Sequence, residues 1–267
     1  MIKLLLSDVD GTLVTKSKEL SARSIDAVHK LHDAGIHFAV TSGRPPRGME
    51  MLVEPLALEA PLAGFNGGLV VEPGMNVIEE RTIRQDVVGP TIQLLEASTL
   101  TVWVYHGTEW NILDPDGPHV ARETQTVGFD PTVVESFDDL DVGVAKIVGV
   151  SDNYDAVAVA ENAAQELVGE HVSASRSQPY YLDITHPHAN KGAVVTFLAK
   201  RFGISPDEIA TIGDMANDVL MFARSGLSIA MGNAHREVQR AARHVTTTNE
   251  DDGFANAVDR FILRQGG

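Results

Sequence analysis

The sequence predicts an α/β fold, in which a doubly wound domain with a mostly parallel sheet carries an inserted α+β unit. Three observations predict it. Short apolar runs alternate with amphipathic helical patterns near the start, helices and paired strands replace this alternation from about residue 86, and the alternation resumes after Pro187. We therefore expect a core domain of residues 1–84 and 188–267 and an inserted domain of residues 85–187.

Composition restricts the partners and the location. The chain has 267 residues and a formal net charge of −16, which argues against nucleic acid or an anionic membrane surface as partner. It contains no cysteine and no apolar run long enough for a secretory signal or a bilayer span, which favours the cytoplasm. An anionic substrate would require positive charge concentrated locally, in a metal ion or in a few Lys and Arg side chains.

The segment from Ile2 to Leu13 delivers two aspartates to the end of an apolar run. Strand alternation aims Asp8 and Asp10 the same way, and the carboxyl ends of strands are where open α/β sheets place their sites. Two neighbouring carboxylates repel each other, so a divalent cation or a division into nucleophile and acid would relieve the conflict. A polar Asp-Gly turn after a core strand is the simpler alternative.

The first part of the chain reads as a βαβ unit followed by a hairpin. Ile25, Val28 and Leu31 recur at helical spacing, with Ser21 as N-cap and Gly35 as stop. The other predicted elements here are strands over residues 36–40, 62–65 and 69–71, the last two joined at Asn66-Gly67.

The inserted unit and the last third of the chain differ in the order of their predicted helices and strands. In the insertion we predict helices over residues 87–97 and 155–167 and strands over 101–106, 110–113, 146–150, 171–174 and 180–184. In the last third we predict helices over 191–202, 219–224 and 254–263, one more helix after residue 233, and strands over 209–212, 227–230 and 244–247. Asn190 and Gly203 supply caps for the helix over 191–202.

Four polar groups fall at the ends of predicted parallel strands or at the start of a helix. They are Asp8 with Asp10, Ser42-Gly43, Lys191, and Asp214 with Asp218. Phosphoryl transfer calls for an in-line nucleophile, a hard cation and donors for the equatorial oxygens. Carboxylates supply the first and bind the second, whereas a hydroxyl, a backbone N–H and an ammonium supply the third.

These motifs resemble those of a known superfamily. Asp8-Val9-Asp10-Gly11-Thr12, Ser42, Lys191 and Gly213-Asp214…Asp218 resemble the four motifs of the haloacid dehalogenase superfamily. Ser42-Gly43-Arg44, Asn66-Gly67, Asn190-Lys191-Gly192 and Met231-Gly232-Asn233-Ala234 resemble its Cof-type, sugar-phosphatase-like branch, although that branch more often has Thr at the position of Ser42. The resemblance implies a Rossmann-like core with a large α+β cap.

The resemblance also implies a Mg²⁺-dependent phosphatase acting on a small phosphorylated metabolite such as a sugar phosphate. Asp8 would attack phosphorus, and Asp10 would act as acid and then base, keeping a proton if the cap shelters it. The implied Mg²⁺ ligands are Asp8, the backbone carbonyl of Asp10, Asp214, and Asp218 directly or through water. The implied substrate-binding residues are Ser42, Gly43, Arg44, Asn66, Lys191 and Asn217.

Several alternatives stay open from the sequence. A phosphomutase on the same scaffold and a non-enzymatic aspartate phospho-acceptor would both use such a site. Asn217 could cap a helix instead of touching substrate, and Arg44 could serve an ion pair. Arg176, Tyr180, Tyr181 and Asp183 of the cap are candidates for contact with the leaving group. The sequence leaves the oligomeric state open.

Overall fold

The computed structural model describes residues 1–140 and 143–263 of the chain. The strands are β1 Leu4–Asp8, β2 His37–Thr41, β3 Leu62–Gly64, β4 Leu69–Val71, β5 Val77–Glu80, β6 Thr101–His106, β7 Glu109–Ile112, β8 Thr132–Val133, β9 Val144–Val150, β10 Ser173–Gln178, β11 Tyr181–Thr185, β12 Ile209–Gly213, β13 Leu227–Ala230 and β14 His244–Val245. The α-helices are α1 Ala22–Asp33, α2 Gln85–Ala97, α3 Val120–Val127, α4 Tyr154–Val168, α5 Lys191–Phe202, α6 Val219–Phe222, α7 Arg236–Ala241 and α8 Gly253–Ala257.

The first sheet forms the core domain and has the strand order β14-β13-β12-β1-β2-β3-β4-β5. Its strands from β14 to β3 run parallel, and β3, β4 and β5 form the antiparallel hairpins at one edge. Leu5 joins the apolar cluster on one face, whereas Leu4 and Leu6 join the cluster on the other face. Burial on both faces is what makes β1 read as a continuous apolar run, so the predicted doubly wound fold is confirmed.

The caps predicted for two helices are present. The Ser21 side chain accepts a hydrogen bond from the backbone N–H of Ser24 at the start of α1, and the Asn190 side chain accepts one from Ala193 at the start of α5. Gly203 follows α5 in the left-handed conformation. These caps fix where α5 begins, and its first residue is Lys191.

The second sheet, with its helices, is called the cap below. Its order is β10-β11-β9-β6-β7-β8, antiparallel except for the β7–β8 pair. One face is covered by α2 and α4, with Ile147 and Leu182 in the shared cluster. The opposite face contacts the core domain, where the ring of Tyr105 lies 5.1 Å from that of Phe65. The inner face of the cap therefore lies against the end of the core sheet that carries the polar motifs.

Some elements differ from the sequence prediction. Helix α3 was not predicted, and it begins after His119, which has φ 64° and provides no side-chain cap. A 3₁₀ helix, Pro46–Leu52, and the strands β5 and β8 were also not predicted. The predicted last helix ends as an α-helix at Ala257 and continues as a π turn, Val258–Ile262. Residues 264–267, placed in the predicted core domain, and residues 141 and 142, placed in the insertion, lie outside the described residues.

None of the helices in the described part of the chain combines the length and the apolarity that crossing a membrane requires.

Candidate active site

A buried lysine joins two carboxylates at the end of the core sheet. The Nζ atom of Lys191, the first residue of α5, lies 2.5 Å from Oδ1 of Asp8 and 2.6 Å from Oδ1 of Asp218. All three residues are buried, and Lys191 is 1% exposed. The other oxygen of Asp218 accepts hydrogen bonds from the backbone N–H groups of Asp214 and Met215, each at 2.8 Å. Asp218 thus has both oxygens engaged within the protein.

Asp214 is held by residues from both ends of the chain. The Thr12 hydroxyl donates to its Oδ1 at 3.4 Å, and the Asn233 amide donates to its Oδ2 at 3.2 Å. Gly11 lies directly against this carboxylate with φ +78°, and a Cβ atom there would come within 2.4 Å of Asp214 Oδ2. Only glycine fits this turn without displacing Asp214.

The three carboxylates form a site that suits a divalent cation. Oxygen atoms of Asp8, Asp214 and Asp218 lie within 4.8 Å of one another. Asp8 Oδ2 is buried and has no hydrogen-bond partner among the described residues. Three carboxylates face the single ammonium of Lys191, so two negative charges lack compensation when all four groups are ionised. A hard divalent cation with oxygen ligands would provide that compensation.

The pKa values follow from the same burial. Burial, reinforced by the charges of Asp218 and Asp214, raises the pKa of Asp8 to about 8, even though Lys191 acts in the opposite direction. Burial and the charge of Asp218 raise the pKa of Asp214 to about 6. Burial alone would lower the pKa of Lys191, but the charges of Asp8 and Asp218 outweigh it and raise the pKa. The site without metal therefore holds protons that a bound cation would displace.

Asp10 has two cationic partners. Nε and Nη2 of Arg44 donate to its two oxygens at 2.7 and 2.6 Å, and Lys18 Nζ lies 2.6 Å from Oδ1. Burial disfavours the charge of Asp10, but the hydrogen bonds and charges of Arg44 and Lys18 outweigh it and lower the pKa. The expectation that Asp10 keeps a proton beneath the cap is therefore wrong for this arrangement, because a bidentate guanidinium stabilises the carboxylate.

The other predicted substrate-binding residues line one wall of a cavity. The Ser42 hydroxyl accepts a hydrogen bond from the backbone N–H of Arg44 at 3.1 Å. Asn217 donates its side-chain N–H to Asn66 Oδ1 at 3.0 Å, and Asn66 has φ 57°, in the left-handed region that asparagine tolerates. Gly43 lies beside Asn66: a Cβ atom added at Gly43 would lie 3.7 Å from Nδ2 and 3.8 Å from Oδ1 of the Asn66 side chain. The structure thus brings all of the predicted site residues to one end of the sheet.

The cavity has a volume of about 330 Å³ and lies between core and cap. Its core wall includes Asp8, Asp10, Ser42, Gly43, Arg44, Asn66, Lys191 and Asn217, and its cap wall includes Arg122, Glu123, Lys146, Tyr180, Tyr181 and Asp183. Of the four candidate cap residues, Arg176 instead borders an adjoining cavity of about 400 Å³.

Several residues of the cavity wall were not predicted from the sequence, among them Lys146, Lys18 and Glu123. Lys146 is the charged residue in the strand sequence VAKIVGV, and this break in an apolar strand was a usable signal. Lys18 and Glu123 carry no comparable signal, because each lies in a polar stretch where charged residues are common.

Comparison with known proteins assigns the chain to a family. The model of the haloacid dehalogenase-like hydrolases matches residues 5–258. A candidate phosphatase of Haemophilus influenzae is 29% identical, with 96% of each chain covered. The 5-amino-6-(5-phospho-D-ribitylamino)uracil phosphatase YcsE of Bacillus subtilis is 25% identical, covering 98% of this chain and 96% of its own.

A solved structure agrees with this assignment. A haloacid dehalogenase-like hydrolase from Bacteroides thetaiotaomicron has a TM-score of 0.91 and 27% identity, covering 98% of this chain and 100% of its own. The resemblance seen in the sequence motifs is confirmed over both the core and the cap, and both of these relatives carry phosphatase names. The chain belongs to the haloacid dehalogenase-like hydrolases.

Proposed function

We propose that the protein is a Mg²⁺-dependent phosphatase that hydrolyses a small phosphorylated metabolite through an aspartyl-phosphate on Asp8. One observation carries the proposal. Lys191 binds one oxygen of Asp8, whereas the second oxygen is buried beside the cavity and has no hydrogen-bond partner among the described residues. A carboxylate held on one side and free on the other is arranged to act as a nucleophile.

The residues suit a two-step reaction. Asp8 Oδ2 would bond to phosphorus as the bond to the leaving oxygen breaks, and water would then hydrolyse the acyl phosphate. Asp10 lies two residues further along the chain and borders the same cavity, so we assign it the proton transfers. The ionised state that Arg44 and Lys18 stabilise suits the base of the second step. Donation in the first step requires Asp10 to gain a proton and to loosen its contact with Arg44.

The phosphoryl group would bind to donors on the core wall. The Ser42 hydroxyl, the Gly43 N–H and the Lys191 ammonium are the proposed donors, with Asn66 and Asn217 at the rim of the cavity. The guanidinium of Arg44 donates to Asp10 through Nε and Nη2 and to the carbonyl of Gly48 through Nη1 at 3.1 Å, so these contacts leave two of its five N–H groups for the phosphoryl oxygens.

Mg²⁺ would be held by Asp8, Asp214 and the backbone carbonyl of Asp10. Because both oxygens of Asp218 are engaged by Lys191 and two backbone N–H groups, we propose that Asp218 contacts the ion through water. The bound ion would neutralise phosphoryl oxygens and keep Asp8 ionised.

The proposed substrate is a sugar phosphate or a similar monoester. A cavity of about 330 Å³ accommodates a small metabolite, and the relative YcsE is named for a substrate with a phosphorylated ribityl chain. We further propose a cytoplasmic location without nucleic-acid or membrane partners, and domain limits of 1–84 with 188–267 for the core and 85–187 for the cap.

Release of phosphate from p-nitrophenyl phosphate tests the proposal. Activity should require Mg²⁺, disappear with EDTA, and be lost in Asp8→Asn but kept in the matched control Asp26→Asn, an exposed acid on α1 that pairs with Lys30. Turnover that survives EDTA and Asp8→Asn would refute the proposal. An isomerised ester with little free phosphate would identify a phosphomutase, and a persistent phosphoprotein without turnover would identify a phospho-acceptor.

A further inference from the structure

An ion pair on the inner face of the cap borders the cavity opposite Asp8. Lys146 lies on β9 and Asp183 on β11, and their side chains share one face of the sheet because Asp183 is paired with Val148, two residues after Lys146. Lys146 Nζ lies 2.7 Å from Asp183 Oδ2, and the side chains are 11% and 14% exposed. The pair is fixed by the sheet and is directed at the space that a leaving group would occupy.

The pair has hydrogen-bonding capacity beyond its own contact. Asp183 Oδ1 is buried and has no hydrogen-bond partner among the described residues, although it borders the cavity. An ammonium carries three N–H donors, more than a single carboxylate oxygen uses. A buried acceptor without a partner is costly, so a ligand that donates a hydrogen bond here would gain more than one that does not.

The charges on the cap wall of the cavity restrict which functional groups a leaving group can carry there. Lys146 and Asp183 neutralise each other, and the same wall carries one further positive charge on Arg122 and one further negative charge on Glu123, which accepts a hydrogen bond from the Tyr181 hydroxyl at 3.4 Å. A second phosphate or a carboxylate on the leaving group would meet Asp183 as a like charge. An aromatic leaving group would leave Asp183 Oδ1 without a donor. Hydroxyl groups, which both donate and accept, suit the pair.

The extent of the site supports a leaving group with more than one hydroxyl. Lys146 and Asp183 border both the cavity of about 330 Å³ and the adjoining one of about 400 Å³. Lys191 also borders both. A chain that extends from the phosphoryl site into either cavity therefore passes the ion pair.

Building on the proposed phosphatase function, we propose that Lys146 and Asp183 determine specificity by binding neighbouring hydroxyls of the leaving group. One hydroxyl donates to Asp183 Oδ1 and the other accepts from Lys146 Nζ. The substrate class is then the phosphate monoester of a polyhydroxylated alcohol.

The test compares kcat/KM for ribitol 5-phosphate, which carries several hydroxyls, with kcat/KM for p-nitrophenyl phosphate, which has none on its leaving group. Asp183→Asn should lower the value for ribitol 5-phosphate by about tenfold or more and leave that for p-nitrophenyl phosphate within about twofold. The double variant Lys146→Met/Asp183→Leu should show the same selective loss without leaving an unpaired buried charge. Asp86→Asn, an exposed cap acid bound to Arg84, should change neither value.

Each other outcome has a defined meaning. An equal loss on both substrates, or no loss on ribitol 5-phosphate, would overturn the assignment of the pair. Wild-type turnover of p-nitrophenyl phosphate without turnover of ribitol 5-phosphate would also overturn it, while the proposed phosphatase function would stand. If the wild-type protein turned over neither ribitol 5-phosphate nor p-nitrophenyl phosphate, the proposed function itself would be refuted, and the inference with it.

Discussion

Lys191 and Asp8 are in direct contact, with 2.5 Å between Nζ and Oδ1, although 183 positions separate them in the sequence. The contact exists because β1 ends at Asp8 and α5 begins at Lys191, at the same end of the core sheet. It orients the carboxylate so that Oδ2 remains available. It also places an ammonium inside the domain, where its charge depends on acidic partners.

Replacing Lys191 should therefore destabilise the fold. In Lys191→Met, the buried carboxylate of Asp218 loses its counter-charge, as does the ionised form of Asp8, and we expect the free energy of unfolding to fall by about 3 kcal/mol or more at pH 8. Urea unfolding of the wild type and the variant measures this change in the free energy of unfolding. Lys200→Met, at an exposed position near the end of the same helix, is the control and should change it little. Equal losses for the two variants would contradict the assigned role of the ion pair.

Replacing Asp8 should have the opposite effect on the metal-free protein. The folded pKa of Asp8 is about 8 against an ordinary value of 3.8, so its contribution to stability is full below about pH 4 and is lost as the pH rises towards 8. Asn carries no charge and escapes this loss. We expect Asp8→Asn to be more stable than wild type by roughly 1–3 kcal/mol at pH 8 and nearly equal at pH 4.

Urea unfolding in EDTA across this pH range measures the difference between the two proteins. Asp26→Asn should run parallel to wild type because its carboxylate is exposed. If the stabilisation by Asp8→Asn shrank as the pH rose, the pKa of Asp8 would not be raised by folding and this prediction would be wrong.

Binding of Mg²⁺ should become tighter with rising pH. Protons held by Asp214, with a pKa of about 6, and by Asp8, with a pKa of about 8, compete with the cation. We expect the apparent affinity to rise between pH 6 and pH 8, by up to about tenfold per pH unit where one proton is displaced. Titration calorimetry in buffers of different ionisation enthalpy counts the released protons. Affinity that is constant across this range would contradict the proposed ligands.

Gly11 should be intolerant of even a methyl group. In Gly11→Ala the new Cβ would come within 2.4 Å of Asp214 Oδ2, so the carboxylate must move and we expect activity to fall by about 100-fold. Gly35→Ala is a matched control, because Gly35 has φ +70° and no atom within 4 Å of an added Cβ. It should cost about 1 kcal/mol of stability and leave the rate unchanged. Similar rates for the two variants would refute this role of Gly11.

The fold was predictable where the hydrophobic pattern of a segment is clear. Helix α1 repeats apolar residues at helical spacing, and strand β1 is a continuous apolar run because both of its faces are buried. Helix α3 was missed because it is short and begins after a left-handed residue, His119, without a side-chain cap. The apolar pattern of residues 254–263 predicts a helix but does not distinguish the α-helix Gly253–Ala257 from the π-helix Val258–Ile262.

The site was predictable in its members but not in their pairing. Topology places strand ends at one edge, which is why Asp8, Lys191 and Asp214 could be grouped from the sequence. The attachment of Arg44 and Lys18 to Asp10 depends on side-chain conformations that no spacing specifies. This is why a protonated Asp10 was expected, whereas the contacts with Arg44 and Lys18 lower its pKa.

Strand β1 lies between β2 and β12 in the core sheet. A ribosome makes the chain from its amino end, so β1 and β2 emerge early, whereas β12 begins only at residue 209, after the whole cap has been synthesised. Until then one edge of β1 has no neighbouring strand and presents unpaired backbone N–H and C=O groups, and such an edge invites aggregation. Nascent chains arrested before that point should therefore depend on chaperones, and under the proposed mechanism those that lack Lys191 should have no phosphatase activity.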